Sequence, residues 1–125
     1  MSDQIILAIP TNGTGGLDAE RSGHFGHCDT FTLVDINGKS VENVRTVQNP
    51  PHVEGGCLAS VNLLASHGVT AILVAGMGAR PLAGFNAAGI SVYFENGTPG
   101  VADAITLLLA GKVEVMDDRF ACRGH

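Results

Sequence analysis

Hydrophobic positions fall in short blocks divided by glycine, asparagine and proline, and the spacing within the blocks alternates between strand-like and helix-like. QIILAIP, at 4–10, is a short apolar run closed by proline and followed by TNGTGG, the pattern of a buried strand feeding a flexible loop. TFTLVDI and SVENVRTVQ flank NGK, and Asn37-Gly38 is a strong turn signal for an antiparallel hairpin. Val41, Val44 and Val47 do not share a parity, which predicts a bulge or an edge in the second arm. NPPHVEGG excludes regular structure, whereas CLASVNLLASH puts Leu58, Val61, Leu64 and Ala65 on one helical face, with Gly68 as the stop. VTAILVAGMG reads as a second buried strand, ARPLAGFNAAG as a short helix and ISVYFE as a third buried strand. TPGVADAITLLLAGK is a final helix with Thr98 as the expected N-cap and Pro99 at its first position. The remaining VEVMDDRFACRGH is a loose tail with at most one short extended piece.

The order strand, hairpin, helix, strand, helix, strand, helix is that of an α/β domain with a mixed sheet of about five strands, an antiparallel second strand and helices on both faces. One domain over residues 1–112 and a tail over 113–125 account for the chain, and the apolar elements suffice for a core that folds without metal.

Composition narrows the function. Twelve acidic against seven basic residues leave a net charge of -5, which argues against a nucleic-acid binder. No apolar run approaches the roughly 20 residues that span a bilayer, and the first residues have no basic segment or cleavage pattern. A cytoplasmic protein is expected, and three cysteines without a C-x-x-C pair fit reduced thiols rather than a disulfide framework. Glycine, at 17 residues, is about twice its usual share, so tight turns and close backbone approaches are expected.

In such sheets ligands bind beyond the carboxyl ends of the parallel strands. Three glycine-rich segments should meet there: the one after the first strand, GMGARP and NGTPG. Ordinary loop chemistry explains NGTPG equally well, but the first segment, at about 18 residues, exceeds a usual loop and is expected to be mobile without a ligand. GMGARP lacks the third glycine of a dinucleotide fingerprint and there is no phosphate-binding G-K-[ST], so its backbone at Gly76, Met77 and Gly78, with Arg80, suits an anion in general. A solvated surface arginine is the plain alternative for Arg80.

Cys57 opens a helix after Gly55-Gly56, where free amides and the helix dipole favour thiolate, and His52 lies five residues upstream. Cys57 is therefore a soft-metal ligand, a nucleophile, or a small apolar residue at a helix start. GHFGHC adds His24, His27 and Cys28, donors that suit soft or borderline metals if the loop brings them together. His67, before Gly68, suits the helix dipole, and Cys122 and His125 lie in the tail.

The run from SGHFGHCDTFTLVDI through GGCLASVNLLASHGVTAILVAGMGARPLAGFNAAGISVYFENGTPGVADAI resembles the dinitrogenase iron–molybdenum cofactor biosynthesis family, which includes NifX-like proteins, the NifB C-terminal domain and the molybdenum–copper orange proteins. The S-G-H-F-G loop, the G-G-C helix start and the G-M-G-x-[RK] turn carry the resemblance, over roughly residues 4 to 110. It implies a ribonuclease-H-like mixed sheet and a NifX-like, non-catalytic carrier that reversibly binds an anionic metal–sulfur cluster of the iron–molybdenum or molybdenum–copper type. Donor and acceptor proteins for that cluster are implied with it, and neither nucleic acid nor membrane. Metal ligation then falls to His24, His27, His52 and Cys57, with Cys28 a candidate from its place beside His27 and not from a family motif, and charge compensation to backbone amides with Arg21 or Arg80. The alternative is a thiol-dependent enzyme using Cys57 with a nearby histidine. No residue is evident to orient that base, and a nuclease would need several carboxylates that the first strand does not supply.

Overall fold

The computed structural model describes residues 4–23, 28–49, 57–76, 79–95 and 97–116, the side chains of 57–59, 79–80 and 114–116 excepted. The elements follow the expected order: β1 (Gln4–Thr11), β2 (Thr30–Asn37), β3 (Ser40–Gln48), α1 (Cys57–Ser66), β4 (Ala71–Val74), α2 (Ala79–Ala87), β5 (Ser91–Phe94) and α3 (Val101–Leu109). A short edge strand, β6 (Glu114–Met116), is added, so the sheet has six strands in the order β3-β2-β1-β4-β5-β6. β1 is antiparallel to β2 and parallel to β4, and β4 is parallel to β5.

Two apolar layers explain the alternation within the strands. Ala8, Phe31, Leu33, Ile72, Val74 and Val92 face Val61 and Leu64 of α1 and Leu82 and Phe85 of α2. On the other face, Leu7, Ile9, Val34, Ile36, Ala71 and Leu73 pack against Val101, Ala104 and Ile105 of α3. Truncating a fully buried side chain such as Leu64 or Phe85 to alanine costs roughly 2–5 kcal/mol by lost transfer energy and the cavity left behind. Ala65, expected on the inner face of α1, is exposed, and Ser60 is buried instead. The inward stripe therefore runs through Ser60, Val61 and Leu64. Gly68 ends α1 as expected, with Val69 N–H donating to Leu64 O and Gly68 N–H to Ala65 O.

The hairpin is present one residue along from its sequence signal. Asn37 pairs with Ser40, leaving Gly38-Lys39 as the two-residue turn, with Gly38 at φ 63. Asp35 pairs with Asn43 but Ile36 with Val41, so Glu42 is the bulged residue in β3, which is also the sheet edge. That is the irregularity the broken valine parity predicted.

Candidate functional site

The register sets one edge of the sheet apart. Thr11 pairs with Thr30 and Thr30 with Gln48, so the end of β1, the start of β2 and the end of β3 lie side by side. The parallel partners β4 and β5 end at the same edge. Pro10 has no amide hydrogen to extend a ladder, and its carbonyl accepts from Ser22 N–H at 2.9 Å. The returning chain bridges Thr11 through Arg21 and Gly100 through Glu20. Residues 20–22 thus form an extended piece between the end of β1 and the loop after β5, sealed by Arg21 N–H to Pro99 O at 2.7 Å.

The segment after β1, expected to be mobile, is densely tied over residues 12–22. Asn12 N–H donates to Glu20 O, Gly13 N–H to Asp29 Oδ2 and Gly16 N–H to Thr32 Oγ1. Beneath it, Thr11 Oγ1 lies 2.8 Å from Thr30 Oγ1 and 3.0 Å from Thr32 Oγ1. Gly15, at φ 76, passes over these hydroxyls so closely that a Cβ would stand 2.8 Å from Thr32 Oγ1 and 2.9 Å from Thr30 Oγ1. The same segment caps α3. Val101 N–H donates to Ala19 O and Ala102 N–H to Leu17 O, while the N-cap is Gly100 without a side-chain cap. The cap expected at Thr98 is therefore replaced by backbone carbonyls, because the loop arrives where a cap side chain would reach.

Thr98 serves Glu95 instead. Its Oγ1 lies 3.0 Å from Glu95 Oε2, and the backbone N–H groups of Gly97 and Thr98 donate to the same carboxylate. Arg21 completes the cluster: Nη1 donates to Glu95 Oε1 at 2.7 Å and to Thr98 O at 2.9 Å, and Nη2 to Glu95 O at 2.7 Å. Both side chains are largely buried, 4% and 15% exposed. Burial opposes ionisation of Glu95, but the Gly97 and Thr98 hydrogen bonds and the guanidinium outweigh it and hold the carboxyl below its ordinary value. Arg21 walls a cleft of about 200 Å³ lined also by Ser22, Gly23, Ala75, Gly97, Thr98 and Pro99. Described parts of the first and third glycine-rich regions meet there, beside Ala75, the residue before GMGARP.

Only some of the candidate ligands fall within the described residues. Cys57 is the first residue of α1, at the expected helix start. Cys28 is 4% exposed and belongs to the apolar layer under α1 and α2. Burial pushes its thiol up to about 12, with backbone hydrogen bonds at Thr11 and Cys28 opposing and the charge of Asp29 reinforcing, so it is a neutral thiol at pH 7. Asn49 Nδ2 donates to Cys28 O at 2.9 Å, and Ser60 Oγ donates to Asn49 Oδ1 at 3.0 Å. This relay ties the first turn of α1 to the entrance of β2. Gly76 follows β4 with open space where a Cβ would project. Arg80 is the second residue of α2. His24, His27, His52, Met77 and Gly78 lie outside the described residues, as do the side chains of Cys57 and Arg80. Among the described residues, no group of three or more His, Cys, Asp or Glu side chains is placed to hold a metal ion.

Glu95, Asn49 and Ser60 escape a reading of motifs. Glu95 alone carries a signal, as the one acid closing an apolar strand directly before N-G-T-P-G. Its partner Arg21 lies 74 positions away.

A family model described as dinitrogenase iron-molybdenum cofactor matches residues 4–111. Protein MJ0580 of Methanocaldococcus jannaschii is 35% identical over 95 residues, covering 74% of this chain and 80% of that protein. The crystal structure of PH0822 superposes with a TM-score of 0.77 at 32% identity, over 91% of this chain and 98% of the other. The apo form of the orange protein from Desulfovibrio gigas gives 0.78 at 24% identity, over 93% and 96%, a likeness of fold.

Proposed function

The chain belongs to the dinitrogenase iron-molybdenum cofactor family, and from that premise we propose that it binds and carries a preformed, anionic metal–sulfur cluster without catalysing a reaction on it. The cluster is cargo, of the iron–molybdenum or a related molybdenum type. One observation carries the reading: the register brings the ends of β1 and β3, the start of β2 and the exit of β4 to one sheet edge. What supports the reading is that described sequence neighbours of the candidate ligands lie at that edge. Gly23 and Cys28 flank His24 and His27, Asn49 and Cys57 flank His52, and Gly76 precedes Met77 and Gly78.

The chemistry fits such a cargo. Thiolate and imidazole bind soft and borderline metals, and few exchangeable ligands permit release. Cys57 at a helix start is the donor best placed to be a thiolate. Arg21 enters this reading as the wall of the cleft, since its charge is already matched by Glu95. Backbone amides and Arg80 are left to offset the cluster. Cys28 joins only if metal displaces its proton. The ribonuclease-H-like description of the mixed sheet, a cytoplasmic setting, and donor and acceptor proteins go with the same proposal. Among the described residues no helix is long and apolar enough to cross a membrane.

Anaerobic purification from the native source, followed by metal analysis, tests this. Molybdenum co-eluting with the protein in stoichiometric amount supports the reading, and protein that is free of molybdenum and takes up no thiomolybdate opposes it.

A further inference from the structure

Three segments distant in sequence meet at one carboxamide, that of Asn49, the half-buried residue directly after β3. Its Nδ2 donates to Cys28 O at 2.9 Å, and its Oδ1 accepts from Ser60 Oγ at 3.0 Å, across 21 and 11 positions of chain. The backbone repeats the first tie, with Asn49 N–H donating to Asp29 O at 3.1 Å. Asp29 carries the network into the first loop, since its N–H donates to Thr11 O and its Oδ2 accepts from Gly13 N–H at 2.7 Å. Ser60 is 3% exposed, beside Val61 and Leu64 on the inward stripe of α1. A hydroxyl buried there gives up water and gains only if a protein acceptor replaces it. Serine within a helix ordinarily bonds back to its own backbone, whereas Ser60 directs its bond off the helix to Asn49.

We propose that Asn49 is a positioning residue of the candidate site, its carboxamide fixing the start of α1, where Cys57 stands, against the strand ends at the carboxyl edge of the sheet. This role rests on the carrier reading and requires no metal ligand from Asn49 itself. Hydrophobic contact is non-directional and leaves the slide and rotation of a helix on a sheet loosely set. A hydrogen-bonded link of fixed length removes that freedom, and a ligand set needs its supporting elements held to within about 0.5 Å. The carboxamide suits the task because it is planar, offers donor and acceptor on opposite sides, and carries no charge to attract or repel the cargo.

Two measurements separate positioning from bulk stability. In the metal-free chain, Ser60→Ala removes the helix arm and leaves the bond to Cys28 in place. Hydrogen exchange at the amides of Asp29 and Asn49, neither bonded to Ser60, should then quicken at least about threefold. Ile105→Val loosens the layer under α3 on the other face of the sheet and should not single those amides out. After anaerobic loading with tetrathiomolybdate, Ser60→Ala and Asn49→Ala should each retain at most about a third of the molybdenum held by the native chain. The double variant should lose no more than either single one, because both groups act through one link. Should Asn49→Ala fail to fold, Ser60→Ala still decides. A native chain that takes up no tetrathiomolybdate removes the carrier reading, and the exchange rates then decide alone whether Asn49 fixes the helix start. Unchanged exchange at Asp29 and Asn49 in Ser60→Ala overturns the proposal. So does equal molybdenum loss in Ser60→Ala and Ile105→Val at matched urea midpoints, which would make the link a matter of stability only.

Discussion

Arg21 and Glu95 stand 2.7 Å apart across the carboxyl edge of the sheet, joining the loop after β1 to the loop after β5. Arg21 also holds the carbonyls of Glu95 and Thr98, so one side chain fixes the shape of the second loop as well as its charge. Replacing Glu95 with glutamine leaves a guanidinium in a largely buried site without a counter-charge. Breaking one partner of a buried pair costs roughly 3–5 kcal/mol, and the lower end applies here because Glu95 retains some exposure. Urea titration should show a drop of about 3 kcal/mol for Glu95→Gln, partly recovered in Arg21→Met/Glu95→Leu. A midpoint unchanged by Glu95→Gln would mean that the pair does not hold the loops.

The same carboxylate predicts a pH dependence. Its folded value lies below the ordinary 4.5, so the folded state resists protonation more than the unfolded state does. The stabilisation is complete above the unfolded value and is lost as pH falls through the folded one. The stability difference between the native chain and Glu95→Gln should be flat near neutrality and shrink below about pH 4.5. A difference that grew on acidification would reverse the assigned direction.

Much of the scaffold was legible because local rules were not overridden. Short apolar runs became β1, β4 and β5, and the broken parity of Val41, Val44 and Val47 became the bulge at Glu42 on an edge strand. Misreadings arose where distant chain segments meet. Thr98 looked like a cap until residues 17–19 supplied carbonyls to α3, and the glycines of 13–16 looked like slack until three threonine hydroxyls appeared beneath them. The sequence offers Cys28 as a candidate ligand beside His27, but its burial could not be read locally, because it depends on layers contributed by α1 and α2. No periodicity or motif encodes a pairing such as Arg21 with Glu95.

Two glycines in the first loop separate backbone strain from crowding. Gly13 and Gly15 both have positive φ, 66 and 76, but an added Cβ meets nothing at Gly13 and three threonine atoms at Gly15. Gly13→Ala should cost ~1–2 kcal/mol from the left-handed conformation alone. Gly15→Ala should cost about 3 kcal/mol or more, since overpacking is added, and should deprotect the Gly16 amide in hydrogen exchange. Equal costs at the two positions would show that the hydroxyl bed is not rigid.

Cys28 is predicted to be inert in the native protein. Its thiol is buried and raised to about 12, so both access and thiolate fraction are small. Iodoacetamide followed by peptide mass mapping should modify Cys28 at least tenfold more slowly in the folded chain than in urea. Native labelling as fast as in urea would remove Cys28 from the core.

In the proposed carrier, the carboxyl edge holds the cluster, with Cys57 and the histidines at 24, 27 and 52 as ligands. Anaerobic loading with a thiomolybdate cluster, gel filtration and metal analysis test it most directly. His67, exposed at the far end of α1, supplies the control as His67→Ala. Cys57→Ser exchanges a soft sulfur for a hard, mostly protonated oxygen, and should retain less than a tenth of the metal held by the control. Each histidine variant should lose a smaller share. Retention in Cys57→Ser and in all three histidine variants equal to that of His67→Ala would contradict the site.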